Sequence, residues 1–188
     1  MKFDNETSII QQKIANGYAG VSRRLAIVNA LNLETNETVI DIGCGGGHLV
    51  EEISKSIGSS GSAIGVDPSE FQIKTAKERC KNLSNVEFIC SNANDIHIDI
   101  NSCDAVTFTQ TLEYIDDVDE ALFVAKKLQK PKSIFVNIST LWDFFGFHGP
   151  EKELNKMIAG NIQIEDISNF KNKDFIIDLS GSLEDRDG

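Results

Sequence analysis

Two carboxylates and a run of glycines are the residues whose types and spacing point most directly to chemistry. In Val39-Ile40-Asp41-Ile42-Gly43-Cys44-Gly45-Gly46-Gly47-His48-Leu49 an apolar run enters a glycine turn, and a helical pattern follows from Leu49 to Ile57. Such a turn lets backbone N–H groups and a helix N-terminus come close to a ligand. A pyrophosphate is a poor match for it. The dinucleotide fingerprint G-x-G-x-x-G would begin at Gly43 and Gly45 and then require glycine where His48 stands. The Gly-Lys-Ser/Thr of a phosphate-cradling loop is missing. Asp41, two residues ahead of Gly43, would repel a phosphate and suits an ammonium group instead.

The second carboxylate, Asp67, ends the run Ile64-Gly65-Val66-Asp67, 20 residues beyond Gly47. An acid at that position is placed to accept hydrogen bonds from both hydroxyls of a ribose. One carboxylate for an amine and another for a ribose together describe S-adenosylmethionine, which carries both groups.

These side chains need a scaffold, and the rest of the chain predicts one. Apolar, β-rich runs at Thr38–Ile42, Ser62–Val66, Val86–Cys90, Cys103–Thr109 and Lys132–Ile138 alternate with helical patterns. Val118, Ala121, Leu122, Ala125 and Leu128 keep helical spacing; Phe71, Thr75, Ala76, Lys77 and Cys80 keep it less regularly. Runs that are apolar almost throughout suit strands covered on both faces, and their alternation with helices implies an α/β, doubly wound, mostly parallel sheet. Residues 1–35 read as one or two helices, with Ile9, Ile10 and Ile14 and then Val21, Leu25 and Val28. Beyond the fifth run, Glu151–Ala159 reads as a short helix after Pro150 and Asp174–Leu179 as one more strand.

In this order and spacing the motifs resemble the class I S-adenosylmethionine-dependent methyltransferases, particularly the small-molecule branch of ubiquinone and menaquinone biosynthesis. The resemblance runs from about Leu31 to Ile138. Asp41-Ile-Gly43-Cys44-Gly45-Gly-Gly47 is similar to the family's D-x-G-x-G-x-G, and Gly65-Val-Asp67-Pro68-Ser69 to its ribose-binding motif. Ser91-Asn92-Ala93-Asn94-Asp95 takes the place of the segment that meets adenine, with Asn92 where an acid is usual; an amide oxygen can still accept a hydrogen bond there. Asp104 to Tyr114, including Thr109 and Gln110, is similar to the fourth-strand motif beside the methionine part. The resemblance thus implies cofactor contacts from Asp41, Gly43, Cys44, Gly45, Gly47, Asp67, Pro68, Asn92, Ala93, Thr109 and Gln110. It also implies N-terminal cap helices (1–35), a cofactor-binding core (36–140) and a substrate-side segment (141–188) within one domain. The chain departs from the family at Tyr114, where many relatives have His, and at Lys130-Pro131-Lys132-Ser133, which replaces a Lys-Pro-Gly-Gly turn before the fifth strand. The segment after Thr140 offers one strand where the family builds a hairpin, so a truncated or atypical last hairpin is expected. Ile134, Val136 and Ile138 would then be uncovered, with Lys173–Leu179 added as a strand beside them and a homo-oligomer or protein partner over what remains.

Methyl transfer needs an in-line approach to a sulfonium methyl, which proximity and desolvation largely supply, and a general base only if the acceptor must lose a proton first. Tyr18, Tyr114 and His148 are the candidates for such a base, with Gln11 and Tyr18 on the helices that would cap the site. Trp142, Phe144, Phe145 and Phe147 read equally as a packing cluster or a substrate-lining loop; His148 reads also as a surface residue. His48 is expected at a helix start with its ring solvated, and His97 carries no motif.

Composition narrows the partners. With 188 residues, 40% hydrophobic and 25% charged, the chain is long enough for one core that buries roughly 70% of its unfolded surface. A net charge of −11, with Arg23-Arg24 and Lys126-Lys127 as the adjacent basic pairs, argues against nucleic acid and for a small-molecule acceptor. The segment after the fourth strand lacks an Asn-Pro-Pro-Tyr-like run, which also disfavours a nucleic-acid methyltransferase. No apolar run reaches membrane-spanning length, and Met1–Ser8 is polar rather than a signal peptide. Cys44, Cys80, Cys90 and Cys103 lack C-x-x-C spacing; they read as buried thiols in a reducing, cytoplasmic setting and not as a metal site. A cofactor-binding or degenerate methyltransferase module that acts through a protein partner is the alternative from another functional class.

Overall fold

The computed structural model describes residues 5–139. Two helices, α1 (Asn5–Asn16) and α2 (Tyr18–Leu31), precede β1 (Thr38–Ile42). There follow α3 (His48–Ile57), β2 (Ser62–Asp67), α4 (Glu70–Arg79), β3 (Val86–Cys90), β4 (Cys103–Thr109), α5 (Val118–Leu128) and β5 (Gln129–Ile138). The strands form one five-stranded sheet in the order β3-β2-β1-β4-β5, and every neighbouring pair is parallel. The predicted doubly wound α/β sheet is therefore what the chain builds.

Alternation within the central strand divides the core. Val39 lies with Ile27 and Leu31 of α2, Val50, Ile53 and Ile57 of α3, and Ala76 of α4. Ile40 and Ile42 lie on the other face with Val66, Phe108 and the α5 residues Ala121, Ala125 and Leu128. Adjacent residues of a strand point to opposite faces, so a strand apolar at every position must be covered twice. Local signals set the helix starts: the Ser69 hydroxyl accepts from Gln72 N at the head of α4, and Asp117 Oδ1 from Glu120 N at the head of α5.

Four readings need correction. Lys130-Pro131-Lys132-Ser133 is not a turn ahead of β5 but part of it. The register jumps from Cys103↔Gln129 to Ala105↔Ile134, with Lys132 at φ +68°, so these four residues bulge out of the ladder. Ile134, Val136 and Ile138 are not left uncovered; Val136 is fully buried and the other two pack on the same cluster as Ile27 and Leu31, because α2 lies against β5. Cys44, Cys80 and Cys103 are buried free thiols, but Cys90 is exposed, since it sits on the sheet-edge strand β3. His48 is the fourth correction, taken up with the site. Among the described residues no helix is long and apolar enough to cross a membrane. Trp142, Phe144, Phe145, Phe147, His148, the Glu151–Ala159 helix and the Lys173–Leu179 strand lie outside the described residues.

Candidate functional site

Parallel strands bring their carboxyl ends to one edge, and there the turn after β1 is bound tightly to the end of β2. Gly43 N and Cys44 N donate to Val66 O at 2.7 and 2.9 Å. Gly43 has φ +82°, and a Cβ on it would sit 2.8 Å from the Cβ of Thr111, so conformation and space both demand glycine. The loop after β4 thus packs directly on the glycine turn. The crevice between β1 and β4 is where the strand order reverses, the place where open α/β sheets hold ligands.

Asp41 lies one residue inside the end of β1, level with Gly65 and Thr107. It is 2% exposed, and its Oδ1 has no hydrogen-bond partner among the described residues. Burial, and secondarily the charge of Asp67, pushes its pKa up to about 7. A buried carboxyl left this way is costly unless a cation or donor completes it. Asp67 ends β2 in a different condition: Oδ2 accepts from Gly45 N and Oδ1 from Ser69 N, both at 2.9 Å. Burial raises its pKa, and those two N–H bonds oppose the rise. Each oxygen keeps a further lone pair for a hydroxyl donor. The structure therefore brings the two sequence-predicted carboxylates and the glycine turn together.

The other predicted contacts divide. Pro68 follows Asp67 at the head of α4; Ala93 is buried beyond β3 and Asn92 beside it is exposed. Thr109 closes β4 with a buried Oγ1 that lacks a partner among the described residues. Gln110 has φ +50°, a strained value for a residue with a side chain, and is tied through its N–H to Ile138 O at 2.6 Å. Burial drives the Cys44 thiol well above its ordinary pKa, with Asp41 adding to the rise, so it stays protonated. Tyr18 is 79% exposed, whereas Tyr114 lies in a short turn of helix (Leu112–Tyr114) after β4, its phenol pKa raised by burial and by Glu113.

The N-terminal helices close the site from above, through Gln11, which the sequence placed on a capping helix, and through residues that sequence reasoning passed over. On α1, Gln11, Gln12, Ala15 and Asn16 share one helical face and all serve as tethers. Gln12 Nε2 donates to Gln72 Oε1 at 2.9 Å, and Gln72 Nε2 to Gln11 Oε1 at 2.7 Å. Arg79 donates to Gly46 O at 2.8 Å and to Gln12 Oε1 at 3.3 Å; Arg24 donates to Ala15 O at 2.6 Å. The isoleucines that suggested this helix, Ile10 and Ile14, lie on its opposite, exposed face. His48 is buried rather than solvated: its Nε2 lies 3.0 Å from Asn16 Oδ1, and burial, with Arg79 and Arg24 nearby, lowers its pKa to about 4. It is a neutral packing residue under α1. From α2, Arg23 reaches Gln110. The adjacent pair Arg23-Arg24 was the one available sequence signal for it.

Comparison with known proteins places the chain in a family. The family described as "Methyltransferase domain" matches residues 33–174, and the chain belongs to that family. It is 31% identical over 117 residues to a demethylmenaquinone methyltransferase of Staphylococcus carnosus, covering 62% of this chain and 48% of that protein. It is 26% identical over 134 residues to a ubiquinone/menaquinone biosynthesis C-methyltransferase of Escherichia coli, covering 64% and 53%. The chain thus spans about half the length of these curated relatives. A SAM-dependent methyltransferase from Aquifex aeolicus has the same fold, with a TM-score of 0.68, 23% identity and coverage of 85% of this chain and 89% of that one.

Proposed function

We propose that this chain binds S-adenosylmethionine in the β1–β4 crevice and transfers its methyl group to a small-molecule acceptor. The observation that carries this reading is Asp41: a fully buried carboxyl with an orphaned oxygen beside a glycine turn, complemented by Asp67 one strand away. An ammonium group is the cation that completes Asp41, and a ribose diol suits the remaining lone pairs of Asp67. When bound there, S-adenosylmethionine supplies an electrophilic sulfonium methyl. The residues of the chain hold and orient it: Asp41 and Thr109 at the amino-acid end, the Gly43–Gly47 turn along it, Asp67 and Pro68 at the ribose, Asn92 and Ala93 at the adenine. The raised pKa of Tyr114 makes it a holder of protons near neutral pH, not a ready base. Proximity and exclusion of water are then the main sources of rate.

The net charge of −11 and the quinone-pathway names of the relatives support a small acceptor, and a demethylated menaquinone is the first to test. The buried free thiols support a reducing, cytoplasmic setting, and a single domain suits one continuous sheet. Calorimetric titration with S-adenosylhomocysteine and with NAD tests the cofactor assignment. One-to-one binding of the first and no heat from the second is expected; NAD binding without S-adenosylhomocysteine binding would overturn it.

A further inference from the structure

From Ile9 to Leu25 the outer surface of α1 and α2 is largely apolar and has no acidic residue, in a chain whose net charge is −11. We propose that a second copy of the chain docks on this surface, two molecules pairing face to face through the same residues. The homo-oligomer expected from the sequence would sit beside β5; this face is a different one.

The first observation is exposure. Among the described residues nine large hydrophobic side chains are exposed, and six of them are Ile9, Ile10, Ile14, Tyr18, Val21 and Leu25. Their spacing gathers them. Ile10 and Ile14 stand one turn apart on α1, Val21 and Leu25 one turn apart on α2, and Tyr18 stands where Gly17 joins the two helices. Both stripes are turned away from the inward contacts of these helices, where Gln12 of α1 reaches Gln72 and Ile27 and Leu31 of α2 enter the core. Six such side chains, each 39–79% exposed, make a patch of several hundred square ångströms, a size at which apolar surface marks an interaction site.

The second observation is charge, and it selects the occupant. Residues 7–33 hold no Asp or Glu, although the chain has 29. Two chains of net charge −11 repel each other wherever carboxylates would meet, so they pair most readily through acid-free surface. The bases of the same stretch do not make it a basic patch. Arg24 is paired with Glu52 and bonded to Ala15 O, and Arg23 is bonded to Gln110, which leaves Lys13 as the exposed one. An anionic bilayer or an acidic partner calls for a cluster of free cations, and one lysine among isoleucines does not supply it. A nearly uncharged apolar face is complementary to itself, which is what a two-fold pair requires.

The third observation is how α1 is held. Its inward links are polar: Gln11 and Gln12 with Gln72, Arg79 on Gln12, Arg24 on Ala15 O, and Asn16 against His48. Covering Ile9, Ile10 and Ile14 with a second copy supplies the apolar burial that a surface helix ordinarily obtains from its own core. A standard interface hides about 800 Å² on each partner. Helices of 12 and 14 residues, about 18 and 21 Å long, offer an outer surface of that order. The second copy thereby holds α1 in place over the glycine turn, to which Arg79 connects it through Gly46 O.

Sedimentation velocity on the ligand-free full chain, across the micromolar range, tests this. Wild type is expected to pass reversibly from monomer to dimer as concentration rises. Ile10→Glu and Leu25→Glu each put a carboxylate into the paired face and are expected to weaken the dimer about 100-fold or more. Phe123→Glu, on α5 and as exposed as Leu25 (55% against 56%), is expected to leave the dimer unchanged. Circular dichroism checks that all three variants stay folded. Hydrogen exchange needs no variant: residues 9–14 and 21–25 of wild type are expected to gain protection in the dimer, and the edge strand β3 is not. A chain that is monomeric at every concentration would overturn the proposal. So would a dimer that both Ile10→Glu and Leu25→Glu leave intact, or one that Phe123→Glu breaks as readily. Binding of monomeric wild type to phosphatidylglycerol vesicles, lost in Leu25→Glu, would overturn it in favour of a bilayer.

Discussion

Asp41 is a side chain poorly placed for stability, a placement that the proposed ammonium group would relieve. Its carboxyl is buried, its Oδ1 is without a partner among the described residues, and burial moves its pKa to about 7. Asp41→Asn keeps the shape and removes the charge that an ammonium group would meet. It is expected to weaken S-adenosylhomocysteine about 10- to 100-fold and to leave adenosine within about twofold, since adenosine has no amino-acid end. Titration of the variant with both ligands checks this. Equal losses would assign Asp41 to holding the glycine turn.

Helix α1 is an element whose own sequence misleads about its orientation. Ile9, Ile10 and Ile14 are the residues from which the helix is read, yet they are about half exposed. The helix is tethered instead by Gln11, Gln12, Ala15 and Asn16 to Gln72, Arg79, Arg24 and His48. Polar tethers hold against water with small net energies, so α1 should open before the sheet does. Gln72→Leu removes both amide links to α1 while keeping the apolar neighbours Ile73 and Ala76 of α4. Hydrogen exchange of residues 9–16 is expected to accelerate about tenfold, with the midpoint of global unfolding shifted little. Protection of α1 equal to wild type would show that other contacts hold it.

At the scale of the whole molecule, two buried groups make stability depend on pH in opposite directions. The pKa of Asp41 is raised on folding, so its contribution is present below about pH 4 and is lost as pH rises through about 7. The pKa of His48 is lowered to about 4, so its contribution is present above about pH 6.5 and is lost as pH falls toward 4. The two slopes overlap, and the difference between wild type and Asp41→Asn isolates the first. Wild type is expected to lose on the order of 1–3 kcal/mol relative to Asp41→Asn between pH 4.5 and pH 8, read from urea unfolding of ligand-free protein. A constant difference across that range would mean that Asp41 is not the group that titrates.

The sequence by itself determined the order of strands and helices, the glycine turn and the two acids at strand ends. Each is a local matter: alternation and apolar runs within five to seven residues, a φ that favours glycine at Gly43, an acid one residue inside or at the end of a strand. Tertiary structure decided which face of α1 turns toward α2 and α4, that Lys130–Ser133 bulges within β5, and that His48 is buried beneath Asn16. It also decided that Arg23 meets Gln110 and Gln12 meets Gln72, contacts separated by 87 and 60 positions. No spacing rule connects residues so far apart, because their meeting depends on how α1 and α2 settle across a completed sheet. A single chain records the types of those residues, and only packing selects their partners.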